Sequence, residues 1–145
     1  AAARKVPIIY LSDMADLDFR SGCSLFLLNP ASLGAPADDN NSLIAKLSCQ
    51  GKRFLFTGDS NAKVERALMS SGLDWRADVL KASHHGSITA NSEDFLRAVS
   101  PGRLVISVGV DNRFGHPSPV VLERASGLGI PIKRTDQEGT IRFID

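Results

Sequence analysis

The stretch Leu80-Lys81-Ala82-Ser83-His84-His85-Gly86-Ser87 places two adjacent histidines after the short apolar run at residues 77–80. A glycine and a small polar residue then turn the chain. The pattern predicts a buried strand that ends by presenting imidazoles at the edge of a sheet. A second stretch, Arg53-Phe54-Leu55-Phe56-Thr57-Gly58-Asp59-Ser60, is also apolar and ends in glycine and a carboxylate. Two strand ends that carry Asp and His predict a metal site.

Length and composition describe an ordinary globular domain. The 145 residues are 43% hydrophobic and 23% charged, which suits one domain or a large part of one. The net charge of +1 gives no overall electrostatic reason to expect nucleic acid or a membrane surface as partner. No apolar run approaches the roughly 20 residues that span a bilayer, and no signal peptide is evident. Because the chain begins at Ala1 without a methionine, we expect it to be a piece of a longer protein.

The two cysteines, Cys23 and Cys49, lie in predicted strands. Free cysteine is among the most buried residue types, so we expect two small buried hydrophobes. A single disulfide remains the alternative.

Hydrophobic periodicity predicts an α/β domain that covers residues 1–145, antiparallel in its first part and alternating strand with helix from Lys52 onward. The predicted strands are 6–11, 16–20, 23–28, 42–48, 52–57, 77–82 and 103–108, with a final hairpin of 130–134 and 140–144. Three helices are predicted, one from a Ser60 cap to Ser71, one capped by Asn91 or Ser92, and one that begins at Ser118-Pro119 and ends at Gly127.

All three histidines, His84, His85 and His116, lie at or after the end of a predicted strand. Because ligands of open α/β sheets gather at the carboxyl ends of strands, Asp59 and these histidines are predicted to share one cleft. Lys81 is a candidate for holding an anionic phosphate, with an exposed strand lysine as an equal alternative.

Other polar residues have simpler interpretations. Asp59 precedes a predicted helix, whose N-terminus a carboxylate stabilises. Asn40 and Asn41 are favoured as turn formers. A catalytic serine triad built on Ser60 or Ser87 has little support, because neither lies in a Gly-x-Ser-x-Gly elbow. The chain also has no Walker loop and no dinucleotide-binding fingerprint.

Several motifs follow one another from about Pro30 to the end of the chain. They are Asn40-Asn41-Ser42-Leu43-Ile44, Phe54-Leu55-Phe56-Thr57-Gly58-Asp59, residues 77–87, Ile106-Ser107-Val108-Gly109, Asn112-Arg113-Phe114-Gly115-His116-Pro117, and Arg134-Thr135-Asp136 before Gly139-Thr140-Ile141. In this combination the chain resembles the metallo-β-lactamase-like domain of the ComEC family of competence proteins, which take up DNA.

The resemblance implies an αββα sandwich with a divalent-metal hydrolase site along one edge. It implies that Asp59 is the bridging carboxylate ligand and that either His84 or His85 is a histidine ligand. His116 and Lys81 are then expected to assist catalysis by proton transfer or phosphate binding. The expected substrate-binding residues are Lys81, Ser87, Asn112, Arg113, Asn40 and Asn41.

The chain departs from the family in one respect. The family's main metal-binding signature, His-x-His-x-Asp-His or His-x-Asp-x-Asp-His, is absent, since the three histidines are already accounted for. The resemblance therefore implies only about the C-terminal half of the sandwich, a mixed sheet with three helices. Such a half has too few ligands for a two-metal site. It also leaves one sheet face open, and we expect the missing half-domain or a second copy of the chain to cover it.

The function implied is the C-terminal part of a phosphodiesterase that cleaves DNA with two Zn²⁺ or Mn²⁺ ions during competence-type uptake. The parent protein is expected in the bacterial cell membrane, with this domain on the outer side. One alternative is a non-catalytic half-domain that binds DNA or a partner. Another is a stand-alone hydrolase of a different ester or a lactone, because fold does not fix substrate.

Overall fold

The computed structural model describes residues 11–19, 22–35 and 42–143, and these contain one seven-stranded sheet. Its strands lie side by side in chain order, antiparallel from the first to the fourth and parallel from the fourth to the seventh. The predicted change from antiparallel to alternating α/β structure is therefore confirmed. The strands are β1 (Met14–Phe19), β2 (Cys23–Leu28), β3 (Ile44–Cys49), β4 (Lys52–Phe56), β5 (Val79–Lys81), β6 (Arg103–Ile106) and β7 (Ile132–Arg134).

Three helices connect the parallel strands, as predicted. They are α1 (Ala62–Ser70), α2 (Glu93–Val99) and α3 (Pro119–Gly127). Each crossover leads to the next strand in the same direction, so right-handed connections put all three helices on one face of the sheet. The main hydrophobic core lies between that face and the helices. It includes Leu55, Leu80, Leu104 and Ile106 from the strands and Leu68, Phe95, Leu96, Val99 and Val121 from the helices.

The opposite face of the sheet is mostly apolar, although the register also puts Lys81, Arg103 and Lys133 on it, and it carries no helix among the described residues. Strand alternation and register put Leu25, Leu47, Phe54, Phe56, Val79 and Val105 on it. Phe143 packs on Phe54 with ring centroids 5.8 Å apart, yet Phe56 is still 41% exposed. A groove of about 350 Å³ remains on this face. Parallel strands are normally covered on both faces, so the open apolar face is unusual.

The first helix does not start as predicted. Asn61, not Ser60, is its N-cap, and the Asn61 side chain accepts hydrogen bonds from the amides of Lys63 and Val64. Ser60 is fully buried one residue earlier, and its hydroxyl has no hydrogen-bond partner among the residues that the structure describes. The second helix is capped by Ser92, one of its two predicted caps. Ser118 occupies the cap position of α3 without a side-chain hydrogen bond.

The predicted final hairpin is wrong. Residues 132–134 form β7, which pairs in parallel with β6. The chain then enters a short helix, α4 (Thr135–Glu138), and residues 139–143 contain no strand. The Thr135 hydroxyl donates to the carbonyl of Val108 and accepts from its amide, which ties this segment to the end of β6.

The cysteines are also corrected, because Cys23 and Cys49 form a disulfide rather than two free thiols. They are directly opposed in the register of β2 and β3, with their Cα atoms 4.2 Å apart. The two cysteines are 26 residues apart in sequence and meet only because β2 pairs with β3 in this register. The number of cysteines alone does not determine such a pairing.

Two predictions lie outside the described residues, namely most of the first strand (6–11) and the end of the loop at residues 31–41. In the ranges that are described, no helix combines the length and apolar composition needed to cross a membrane.

Candidate functional site

The carboxyl ends of β4, β5 and β6 are neighbours and bring the predicted polar residues together. Asp59 follows β4, and one of its carboxylate oxygens, Oδ1, lies 3.6 Å from Nε2 of His85, which follows β5. The rings of His84 and His116 have centroids 5.7 Å apart. These four side chains share one cleft, as expected for the switch from strand to loop in an α/β sheet.

The histidine turn has an uncommon backbone. His84 and His85 have φ values of 46° and 54°, in the left-handed region that L-residues seldom occupy. Each such residue costs on the order of 1–3 kcal/mol and persists only when its surroundings hold it. The His84 amide donates to the carbonyl of Gly58, and the Ser87 amide donates to the carbonyl of His84. The turn is thus fixed both internally and to the end of β4.

Glycine is required where the turn meets its neighbours. A Cβ atom on Gly86 would lie 2.7 Å from the Cβ of Pro117, and φ is +82° there. A Cβ atom on Gly58 would lie 2.3 Å from the Cβ of Ser42. The Ser42 hydroxyl also accepts a 2.8 Å hydrogen bond from the Asp59 amide. The close approach of Gly58 to Ser42 therefore allows the hydrogen bond that orients the backbone of Asp59.

A buried polar network lies behind the turn. The hydroxyls of Thr57 and Ser83 are 2.6 Å apart, which links the ends of β4 and β5. The Asn91 side chain accepts from the Ser83 amide and donates to the Ser83 carbonyl, both at 2.9 Å. Glu65 of α1 accepts from the amides of Asn91 and Ser92 and from the Ser92 hydroxyl. All members except Ser92 are fully buried.

The electrostatics of Glu65 follow from its burial. Removal from water raises the pKa of its carboxyl, while the hydrogen bonds of Ser92 and Asn91 and the charge of Arg124 act in the opposite direction. The Arg124 guanidinium also donates to the carbonyls of Ala90 and Asn91. The network therefore contains an acidic group whose ionised form burial disfavours.

His85 is oriented through its Nδ1, which lies 2.6 Å from the carbonyl oxygen of Ser107. Because a carbonyl oxygen can only accept, Nδ1 carries a proton, and the ring turns its Nε2 toward Asp59. Metal-binding histidines are usually oriented by such a second hydrogen bond. The buried Nδ1 of His84 has no hydrogen-bond partner in the described structure.

His116 is positioned through its backbone. The Asn112 side chain accepts from the His116 amide at 3.0 Å and donates to its carbonyl at 2.6 Å. Burial is the main cause that lowers the pKa of His116, the neighbouring imidazoles of His84 and His85 lower it further, and Asp59 opposes them. The ring therefore favours its neutral form.

The remaining predicted residues are Lys81, Ser87 and Arg113, and each has its own surroundings. Burial lowers the pKa of Lys81, Asp59 opposes this, and the ammonium donates to the Ala82 carbonyl at 3.1 Å. Ser87 is buried, and its hydroxyl pairs with that of Thr89 at 3.0 Å. Arg113 is exposed beside the cleft.

Two further predictions concern the loop asparagines and the serine triads. Asn40 and Asn41 lie outside the described residues. In the described ranges, neither candidate triad hydroxyl, Ser60 or Ser87, is hydrogen-bonded to a histidine.

The donor atoms fit a divalent metal in chemistry but not in number. Two ligands about 2.1 Å from a tetrahedral zinc ion lie roughly 3.4 Å apart, close to the 3.6 Å between Asp59 and His85. However, no group of three or more potential ligands is found within residues 11–19, 22–35 and 42–143. The described residues thus offer two donor atoms at a metal-compatible separation, fewer than the three or four protein ligands of a typical zinc site.

Sequence reasoning missed several residues that shape this site. Ser107 acts through its backbone carbonyl, and Ser42 and Asn91 act through contacts distant in sequence, so no local pattern identifies them. Glu65 looks like an ordinary residue of an amphipathic helix. Its position one helical turn from the apolar Leu68 is the only local signal that it faces inward.

No protein-family model matches the chain. Among curated proteins, it is 34% identical over 117 residues to ComE operon protein 3 of Bacillus subtilis (strain 168), a match covering 81% of this chain and 15% of that protein. It is 35% identical over 123 residues to competence protein ComA of Neisseria gonorrhoeae, covering 84% and 18%. It is 31% identical over 121 residues to recombination protein 2 of Haemophilus influenzae, covering 83% and 15%. The chain spans less than a fifth of the length of these relatives.

Proposed function

The chain is homologous over most of its length to ComEC-family competence proteins, and from this we propose that it forms part of a metal-dependent phosphodiesterase that acts on DNA during uptake. The observation that carries the proposal is the pair of Asp59 and His85. Their side chains meet at a ligand-like separation of 3.6 Å, and Ser107 orients the imidazole through its other nitrogen.

In this proposal Asp59 and His85 bind the metal, and His84 and His116 line the same cleft. A bound Zn²⁺ or Mn²⁺ would supply an activated water and polarise a phosphoryl oxygen. The neutral His116 ring can accept a proton, and Asn112 keeps its backbone in place. Lys81 and Arg113 provide positive charge on two sides of the cleft for the phosphates of DNA.

We propose that the open sheet face is covered by another part of a longer protein. Phe54, Phe56 and Val105 lie on a face that parallel strands normally bury, and the curated relatives are several times longer than the chain. The same part could supply the ligands that the described residues lack. Analytical ultracentrifugation distinguishes this from self-association, because a second copy on the face gives a dimer that Phe56→Asp dissociates.

The Cys23–Cys49 disulfide supports placing this domain on the outer side of the cell membrane, because structural disulfides persist in oxidising compartments. Thiol counting on protein isolated from the native host under alkylating conditions tests this placement. Two free thiols would contradict it.

Calorimetric titration of the chain with Zn²⁺ and with Mn²⁺ tests the metal site. We expect Asp59→Ala and His85→Ala each to weaken binding at least tenfold, while Glu123→Ala, an exposed carboxylate on α3, leaves it unchanged. Cleavage of single- and double-stranded DNA is then measured on the loaded proteins. Equal metal binding by the wild type and both site variants would contradict the assignment.

A second candidate function is a half-domain that binds DNA without cleaving it. The absence of a three-ligand group among the described residues favours it. DNA binding without hydrolysis in the metal-loaded chain would support this alternative.

A further inference from the structure

The loop between β6 and α3 exposes two large apolar side chains beside the cleft. Phe114 is 69% exposed and Val110 is 70% exposed. A single exposed hydrophobe is common on protein surfaces and requires no explanation. Phe114 differs from Val110 in its neighbours, which include both a charged group and the candidate site.

Phe114 is a wall of a pocket that reaches the histidines. The pocket has a volume of about 210 Å³ and is lined by Phe114, His85, His116, Asn112, Val108 and Gly109. The rings of Phe114 and His116 are nearly parallel, at 21°, with centroids 6.2 Å apart. An aromatic face thus adjoins the residues proposed to act on a phosphodiester.

Arg113 adds a cation to this aromatic surface. Its guanidinium carbon lies 5.2 Å from the centroid of the Phe114 ring, within the range of a cation–π contact. An exposed arginine beside an exposed aromatic ring is the combination with which proteins bind single-stranded nucleic acid, where bases stack on rings and cations bind phosphates. In a duplex, the neighbouring pairs cover the faces of each base, so the ring would have no face to contact.

We propose that Phe114 and Arg113 form a stacking platform for one nucleobase of single-stranded DNA next to the proposed cleavage site. The inference rests on the proposed function and specifies its substrate as a single strand. The stacked base fixes the strand at Phe114, Arg113 binds an adjacent phosphate, and the next phosphodiester then lies toward His85 and Asp59.

Fluorescence anisotropy in EDTA tests the platform separately from metal chemistry. The probes are a labelled single strand, the same strand with abasic sites throughout its centre, and the corresponding duplex. We expect Phe114→Ala to weaken binding of the intact strand about tenfold, Phe114→Tyr to retain it, and Val110→Ala to serve as the unaffected control. The wild type should bind the abasic strand about tenfold more weakly than the intact strand. Phe114→Ala should bind the abasic strand as tightly as the wild type does.

Phe114→Trp gives a direct reading at the platform itself. Stacking on a base should quench the added indole with the intact strand and not with the abasic strand, while the buried Trp75 provides a constant background. Equal binding of intact and abasic strands by the wild type and Phe114→Ala would overturn the platform, and metal titration of Asp59→Ala would still test the proposed function. Failure to bind any of the three probes would overturn the platform as well.

Discussion

The inner and outer sides of the histidine turn differ in burial and in hydrogen bonding. On the inner side, Ser83, Asn91 and Glu65 are fully buried, and hydrogen bonds join them into one network. On the outer side, the side chains of His85 and Asp59 are 45% and 48% exposed. The difference shows how the turn keeps two left-handed residues in place while its imidazoles remain open to a ligand. The buried network holds the backbone of the turn, and the side chains of Asp59 and His85 stay accessible from solvent.

Among substitutions at the histidine turn, removal of the Glu65 carboxylate should lower the free energy of unfolding the most. Glu65→Ala leaves the amides of Asn91 and Ser92 without acceptors, and each unsatisfied buried donor costs about 1–3 kcal/mol. We expect the free energy of unfolding to fall by about 3 kcal/mol in urea titrations. Glu93→Ala is the matched control, because its exposed ion pair with Arg97 contributes only about 0.3–0.5 kcal/mol. Similar losses in the two variants would show that the inner network does not stabilise the domain.

Asn91 connects Glu65 to the turn, and its removal should have the next largest effect. Asn91→Ala deletes both hydrogen bonds to the Ser83 backbone and places alanine at a φ of 56°. We expect a loss of about 2 kcal/mol in the same titrations. Asn91→Gly accepts the backbone angle and still loses both side-chain bonds. If Asn91→Gly were as stable as the wild type, the side-chain bonds to Ser83 would not hold the turn.

The outer side could be predicted from the sequence far better than the inner side. Asp59 and the histidines follow apolar runs, and the rule that strand ends form clefts is enough to bring them together. Ser107 and Asn91 could not be found in this way, because they act through contacts between segments 22 and 8 residues apart. The change from antiparallel pairing to alternating α/β structure could be predicted from the alternation of strands and helices after Lys52. The end of the chain could not, because the Thr135 contact with Val108 outweighs the local turn signal at residues 136–139.

The pH dependence of stability should report on the inner network through Glu65. Burial raises the pKa of Glu65 from its ordinary value of 4.5, so the folded protein binds this proton more tightly than the unfolded chain does. The stabilisation from this group is complete below pH 4.5 and is lost as the pH rises through the raised pKa. We therefore expect the stability advantage of the wild type over Glu65→Gln to decrease as the pH is raised from 4 to 8. An advantage that increases over this range would mean that the three hydrogen bonds outweigh the effect of burial.

Phe114 should show the smallest effect on stability, because it lies on the outer side and makes few contacts that folding requires. At 69% exposure, its ring leaves little apolar surface buried, and exposed substitutions usually change stability by no more than about 0.5 kcal/mol. We expect Phe114→Ala to unfold within that margin of the wild type, whereas Phe95→Ala, a fully buried phenylalanine in α2, should lose about 3–5 kcal/mol. A loss above 1 kcal/mol at Phe114 would place the ring among the structural residues of the loop. It would also mean that reduced DNA binding by Phe114→Ala has to be compared with an equally destabilised variant before it is attributed to stacking.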